Sequence, residues 1–314
     1  MKTLDQIINE ALSCSLNDKI YLIEPFSKKA GLFCSNGDLL YLVQNEEGCK
    51  PQSISTDFLQ MDTNIYIQSF EDNHSFPDGE YNLLMYKGTN IDNNRDNVDS
   101  FIHLCSAHSK LMDGDSFEQF FQSLISLFQL PKEQNYLNLM GLFGELSIIE
   151  HIFETQQLDI SSYWHLEGSS SKYDFSFPNK YSLEVKASSK GNKAVEIKHA
   201  QLFSSPNTVI LATIHVIEDN SGISVEELIE RMLSNKQYCN NLQFEISLQK
   251  ELKRVSQDDV RHKRFIINSF SFYLNRSINP FVIIPLNIDK LEYTLDLSDV
   301  DSLNNQLLTQ YLTF

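Results

Sequence analysis

The sequence predicts a mixed α/β chain of the α+β kind. Three observations carry this. Short β-type runs fill residues 19 to about 90, helical periodicity takes over from about residue 96, and residues 139–217 run in the order α-β-β-β-α-β. The 314 residues are 41% hydrophobic and 11% aromatic, enough for a sizeable core and too apolar for wholesale disorder.

The elements follow from local pattern. Leu4, Ile7, Ile8 and Leu12 share one face of a short N-terminal helix. The runs KIYLIEPF, AGLFCS, DLLYLVQ, NIYIQSF and YNLLMYKG then read as strands, punctuated by the turn formers Ser35 to Asp38 and Pro77 to Gly79. The polar stretch Thr89 to Arg95 has little to bury and marks a boundary between a β-rich module (1–95) and a second domain (96–314). Helices are expected over VDSFIHLCSAHSKLM, SFEQFFQSLISLFQL and NYLNLMGLFGELSIIEHIFE. Strands follow over SYWHL, KYDFSF and YSLEVKAS, then a helix over NKAVEIKHAQLFSS and a strand over TVILATIHVI. Ser224 and Glu227 have capping-box spacing and open a further helix. Strands QFEIS, FIINSFSFYLN and FVIIPL, with a helix over QKELKRVSQDDVRHKR, complete the chain.

Five scattered cysteines without a C-x-x-C pair argue against a disulfide framework and a cysteine zinc site, and for a reducing, cytoplasmic setting. Asp5 and Glu10 interrupt the first apolar stretch, which makes a poor signal peptide. The longest apolar run, Val209 to Ile217, is broken by Thr213 and His215 and falls short of the ~20 residues a membrane span takes, so no membrane partner is expected. The net charge of −17 opposes nucleic-acid binding at first sight. Residues 187–276 escape that acidity, with 12 basic against 10 acidic side chains, including Lys250, Lys253, Arg254, Arg261, Lys263 and Arg264. A solvated helix face salted with Glu251, Asp258 and Asp259 explains that cluster equally well, so charge does not settle the partner.

The chemistry concentrates in the hairpin from Lys172 to Ala187. A three-residue loop centred on Asn179 pairs Phe177 with Tyr181, Phe175 with Leu183 and Asp174 with Glu184. This register puts Phe175, Phe177, Tyr181, Leu183 and Val185 on one face and Asp174, Ser176, Ser182, Glu184 and Lys186 on the other, whereas a two-residue loop mixes the faces. Two opposed carboxylates, about 4.5–5.5 Å apart at Cβ, repel unless something offsets the charge. Lys186 offsets part, and a divalent cation such as Mg²⁺ offsets more. An ordinary exposed hairpin with splayed polar side chains is the competing explanation. The E-x-K string recurs at Glu196 to Lys198 and Glu251 to Lys253, but both lie in helical patterns where i and i+2 do not face each other. Glu145 falls inside the apolar arc set by Leu142, Leu146, Ile149, Ile152 and Phe153, where an ionised carboxylate is costly unless paired or metal-bound. A place in the helix's first turn, with the carboxylate snorkelling outward, is the alternative. Gly141 and Gly144 beside it suggest a close backbone approach. His103, Cys105 and His108 read as helix residues rather than a zinc site lacking a fourth ligand, and Trp164 as packing.

Gly144 and Glu145 on a helix, Asp174 on one strand, Glu184 and Lys186 on the next, and Gln201 on the following helix resemble the PD-(D/E)XK restriction-endonuclease-like superfamily. The α-β-β-β-α-β order is that superfamily's core. More narrowly, GLFGEL, the strand-borne DF, LEVKAS and a downstream QL are similar to the PD-(D/E)XK motif proteins of bacterial phage-defence, restriction-type gene clusters. Tyr173 stands where the name-giving proline would be. The resemblance implies Mg²⁺- or Mn²⁺-dependent cleavage of DNA by an endonuclease subunit acting with other defence proteins. Asp174, Glu184 and Glu145 would hold the metal, Lys186 would orient the attacking water, and Gln201 would assist. Lys190, Lys193 and Lys198 would contact phosphates. Restriction-like cores often work as homodimers. A non-catalytic DNA-binding or scaffold subunit on the same fold, and an RNA- or repair-directed nuclease, are the alternatives.

Overall fold

The computed structural model describes residues 2–14, 19–45, 51–68, 76–88, 91, 94–111, 117–128, 139–165, 172–179, 181–191, 193–203, 208–279 and 290–313. The expected strand FVIIPL and the serines 169–171 lie outside them. The chain divides into two compact units, 1–131 and 132–314. The expected boundary at residue 95 differs because two helices that follow it go with the N-terminal unit. Among the described residues, no helix is long and apolar enough to cross a membrane.

In the first unit, α1 (Leu4–Ser13) precedes β1 (Tyr21–Pro25), β2 (Ala30–Ser35), β3 (Asp38–Gln44), β4 (Gln52–Ser55), β5 (Leu59–Ile67) and β6 (Gly79–Tyr86). The six strands form one antiparallel sheet in the order β1-β2-β3-β6-β5-β4. Asn36 and Gly37, both at positive φ, make the tight turn between β2 and β3, as the sequence predicts. Strand β4 has no counterpart in the sequence reading, because its QSIS side chains offer little apolar alternation and are mostly exposed. Next come α2 (Arg95–Lys110) and α3 (Phe117–Phe128). His108 on α2 is buried. Its Nδ1 lies 2.9 Å from the Tyr41 hydroxyl and its ring stacks on Phe120, so it is a core histidine as expected. Burial holds its pKa down at about 4. Cys14, at the end of α1, and Cys34 on β2 form a disulfide with Cα atoms 6.5 Å apart. The cysteine count argues against a disulfide framework, and this single pair departs from that expectation: packing α1 on β2 brings together two residues whose spacing in sequence carries no signal.

The second unit opens with α4 (Leu139–Gln156) and continues through β7 (Phe175–Ser176), β8 (Tyr181–Ser188), β9 (Ala194–Lys198), α5 (His199–Phe203) and β10 (Thr208–Ser224). It closes with α6 (Val225–Ser234), α7 (Leu242–Leu252), α8 (Gln257–His262), β11 (Arg264–Leu274), β12 (Glu292–Asp296) and α9 (Asn305–Leu312). A mixed sheet runs β11-β10-β8-β7, with β8 and β10 parallel and the outer pairs antiparallel. One face packs on α4 through Leu142, Phe143, Leu146 and Ile149 against Leu183, Val185, Ile210 and Ile214. The other is covered by a second cluster in which Val195, Ile197 and Leu202 meet Val209, Leu211 and Tyr273. The alternation along β8 and β10 therefore divides two buried layers.

The hairpin register is the one predicted, with Phe175 opposite Leu183 and Ser176 opposite Ser182. Phe175, Phe177, Leu183 and Val185 point into the core under α4. The Ser224 capping box opens α6, with Glu227 N–H donating to Ser224 Oγ at 3.1 Å and Ser224 N–H to Glu227 Oε2 at 3.1 Å.

Four expectations in this unit change. The SYWHL strand shrinks to a bridge between Trp164 and Phe175, because Ser161 N–H bonds to Asp159 Oδ1 and winds residues 161–163 into a 3-10 turn. Residues 194–198 form β9, paired with β12, rather than helix. Val195 and Ile197 are buried between exposed neighbours, a period of two. Glu196 to Lys198 is thus a second E-x-K on a strand. QFEIS lies in α7, whose Asn241 cap accepts from Phe244 N–H at 2.8 Å. The segment QKELKRVSQDDVRHKR breaks into α7 and α8, with Ser256 capping the second.

Candidate active site

Gly144 lets α4 approach the sheet. A Cβ on it would lie 2.9 Å from Ala187 Cβ and 3.3 Å from Ile214 Cδ1. The next residue, Glu145, is the seventh described residue of α4 and so lies beyond its first turn, which excludes the snorkelling alternative. Its Oε2 accepts from Trp164 Nε1–H at 2.8 Å and lies 3.0 Å from His165 Nε2. A helix carboxylate in an apolar arc is thereby held by two polar ring nitrogens.

His165 has φ 45°, and its N–H donates to the Asp174 carbonyl at 2.9 Å. That bond puts the end of the 164–165 bridge beside the start of β7. Asp174 Oδ2 in turn accepts the Val185 N–H at 2.7 Å, a donor no longer free for the ladder, and β7 is correspondingly short. Glu145, His165 and Asp174 each present one donor atom, and these atoms all lie within 4.8 Å of one another.

Glu184 points from β8 to the face away from α4 and is only 2% exposed. Its Oε1 accepts from Lys186 Nζ at 2.5 Å and Gln201 Nε2 at 2.6 Å, while its Oε2 is buried without a hydrogen-bond partner. The exposed-hairpin explanation therefore fails for this face. Burial, together with the charges of Glu145 and Glu184, pushes Asp174 well above the ordinary carboxylate pKa. Burial also raises Glu184, against the opposing pull of Lys186 and with a further push from Glu145. For His165, burial opposes protonation, but the hydrogen bond and charge of Glu145 and the charge of Glu251 outweigh it and raise its pKa. The crowded carboxyl groups thus stand beside the middle of the parallel β8–β10 ladder, where Glu184 pairs with Leu211.

All five side chains singled out in the sequence belong to this arrangement: Glu145, Asp174, Glu184, Lys186 and Gln201. Residues 85–298, more than half of the chain, match the family described as "Putative PD-(D/E)XK family member, (DUF4420)". The chain belongs to this family. No curated protein and no solved structure matches it significantly. PD-(D/E)XK nucleases generally depend on a divalent metal, and the donor set fits one. Two carboxylates, Glu145 and Asp174, and the His165 imidazole converge, and the neighbouring Glu184 keeps one buried oxygen without a donor.

The sequence reading missed His165 and the Trp164 indole N–H. The signal was faint: His165 ends the segment whose bridge abuts Asp174, and its partner is set across residues 166–171. Lys190, Lys193 and Lys198 are exposed. Lys198 helps hold the Glu184 pKa down, while Lys193 does the same for Asp296. In the basic stretch after residue 250, Arg254 pairs with Glu251, Arg261 with Glu226, Lys263 with Asp259 and Arg264 with Glu227. It is an ion-paired face rather than an open cationic patch.

Proposed function

We propose that this PD-(D/E)XK family member is a divalent-metal-dependent phosphodiesterase that cuts DNA, acting as the endonuclease subunit of a bacterial restriction-type defence system. One observation carries the catalytic part: a buried Glu184 with one unpartnered oxygen shares its other oxygen with the Lys186 ammonium, within reach of the charges of Asp174 and Glu145. The defence setting rests on the motif resemblance.

Asp174, Glu184 and Glu145 would hold the cation, Mg²⁺ or Mn²⁺. When bound, it polarises the scissile phosphate and neutralises the carboxylates. The Val185 N–H fixes one Asp174 oxygen and with it the orientation of the carboxylate. Gln201 pins Glu184 from the α5 side, so its rotamer is set before substrate arrives. Lys186 carries the one ammonium bonded to that carboxylate. It orients the water that attacks phosphorus and stabilises the charge that grows on the phosphoryl oxygens, an effect strengthened in a water-poor site.

Incubating the full chain with supercoiled plasmid and Mg²⁺ or Mn²⁺ tests the reading. Wild type nicks the plasmid, EDTA stops it, and Asp174→Ala and Lys186→Ala lose at least a hundred-fold in rate while keeping the wild-type circular dichroism. Cleavage at the wild-type rate by a folded Asp174→Ala protein overturns the catalytic assignment. If wild type is inert with every cation yet binds duplex, the reading passes to a DNA-binding subunit.

A further inference from the structure

We propose that His165 is a direct nitrogen ligand of the cation at this centre, which makes the site selective for Mn²⁺ over Mg²⁺. The inference rests on the metal-dependent reading above and adds a residue that lies outside the motif. Three observations support it.

The first is placement. The His165 donor atom lies with those of Glu145 and Asp174 inside a 4.8 Å span, so a single ion with bonds near 2.1–2.4 Å reaches all three. The second is aim. A histidine at φ 45° is uncommon, and this one is fixed by its N–H bond to the Asp174 carbonyl while Nε2 faces Glu145 Oε2 at 3.0 Å. The backbone bond ties the imidazole to the same residue that supplies a carboxylate. The third is the charge around the ring. Besides Glu145, Glu251 Oε1 lies 4.0 Å from His165 Nε2, so two carboxylates face one imidazole, with Arg254 pairing only the second. Trp164 already supplies Glu145 with a neutral hydrogen bond, so His165 is not needed merely to satisfy that carboxylate.

The chemistry of the donors then sets the preference. Mg²⁺ takes oxygen ligands in a near-ideal octahedron, whereas Mn²⁺, the hardest of the divalent transition ions, keeps the carboxylates and accepts an imidazole nitrogen more readily than Mg²⁺ does. One nitrogen among carboxylates therefore tilts the centre toward Mn²⁺.

Mn²⁺ is the probe. Titration calorimetry gives its affinity and that of Mg²⁺, and electron spin-echo modulation reports whether nitrogen is bonded to the ion. The Mn²⁺-loaded wild type shows imidazole-nitrogen modulation, and growth on ¹⁵N-histidine changes its frequency. His165→Asn, chosen because asparagine tolerates positive φ, abolishes the modulation and weakens Mn²⁺ at least ten-fold while changing Mg²⁺ affinity less than three-fold. The ¹⁵N experiment needs no variant to fold. Mn²⁺ bound to wild type without histidine-nitrogen coupling overturns the inference, as does coupling that survives in His165→Asn. Plasmid nicking without nitrogen coupling removes the ligand and leaves the nuclease. Coupling without nicking keeps the ligand and removes the nuclease. Failure to bind Mn²⁺ removes the ligand, and plasmid nicking with Mg²⁺ then decides the nuclease separately.

Discussion

Glu184 shows how a single buried residue can cost stability. It is 2% exposed, its pKa is raised chiefly by burial, and one of its oxygens has no partner. A carboxyl whose folded pKa lies above its unfolded value is favoured by the fold while protonated, and that advantage disappears as pH rises through the folded pKa. At neutral pH without a cation, Glu184 therefore works against the fold. Glu184→Gln keeps an oxygen for Lys186 and Gln201 and puts an NH₂ where the unpartnered oxygen stood. In EDTA this variant is expected to gain stability at neutral pH, since the neutral amide removes the buried charge whose burial raises this pKa. Calorimetry should find Mn²⁺ binding at least ten-fold weaker, and a lower melting temperature in EDTA would refute the argument. His108 has the opposite sign. Its folded pKa of about 4 lies below the ordinary histidine value of 6.5, so its contribution is complete above pH 6.5 and disappears as pH falls through 4. The full span amounts to about 3 kcal/mol, at 1.36 kcal/mol per pKa unit. Urea unfolding between pH 7.5 and 4.5 should show a steeper loss in wild type than in His108→Gln, and equal slopes would count against it.

The helix α4 binds the site to the core. It is buried almost all round, with Leu142 and Leu146 against the sheet and Glu150 held by Arg231 at 2.8 and 2.5 Å. Its contact with β8 depends on Gly144. Gly144→Ala returns up to ~1 kcal/mol of helix propensity, but overpacking against Ala187 costs about 1–3 kcal/mol, and no flexible side-chain end can give way there. The variant should melt lower and bind Mn²⁺ more weakly, because displacing α4 moves Glu145. A stability gain would show that the helix and sheet separate easily. This close approach was legible in the sequence as a glycine beside an out-of-place glutamate. The hairpin was legible too, since only one register puts Phe175, Phe177, Leu183 and Val185 on one face. Elements whose pattern is short were not. Residues 194–198 fit a strand or a helix over five positions, and only pairing with β12 decides between them. QFEIS has strand-like composition, yet Asn241 caps it as helix. His165 and the Cys14–Cys34 pair were illegible for a different reason: both depend on which segments meet in space, and local periodicity does not carry that information.

A chain of charge −17 repels a polyanion at long range, so attachment to DNA has to come from a local strip of cations. The basic face after residue 250 does not provide it, since Arg254, Arg261, Lys263 and Arg264 are each paired with an acid. The proposed phosphate contacts are three exposed lysines, Lys190 after β8, Lys193 before β9 and Lys198 at its end. Each lysine that neutralises a phosphate adds about −0.9 to the slope of log K against log salt. Replacing all three by glutamine should flatten that slope by up to about 3 and weaken binding most at low salt, with little change in the fold, since exposed side chains contribute little to stability. Anisotropy of a labelled duplex between 50 and 200 mM KCl, in EDTA to prevent cleavage, gives the slope directly. An unchanged slope would place the phosphate contacts elsewhere on the surface. A slope that flattens while nicking by the Mn²⁺-loaded protein slows in proportion would tie these lysines to the strand that enters the carboxylate cluster.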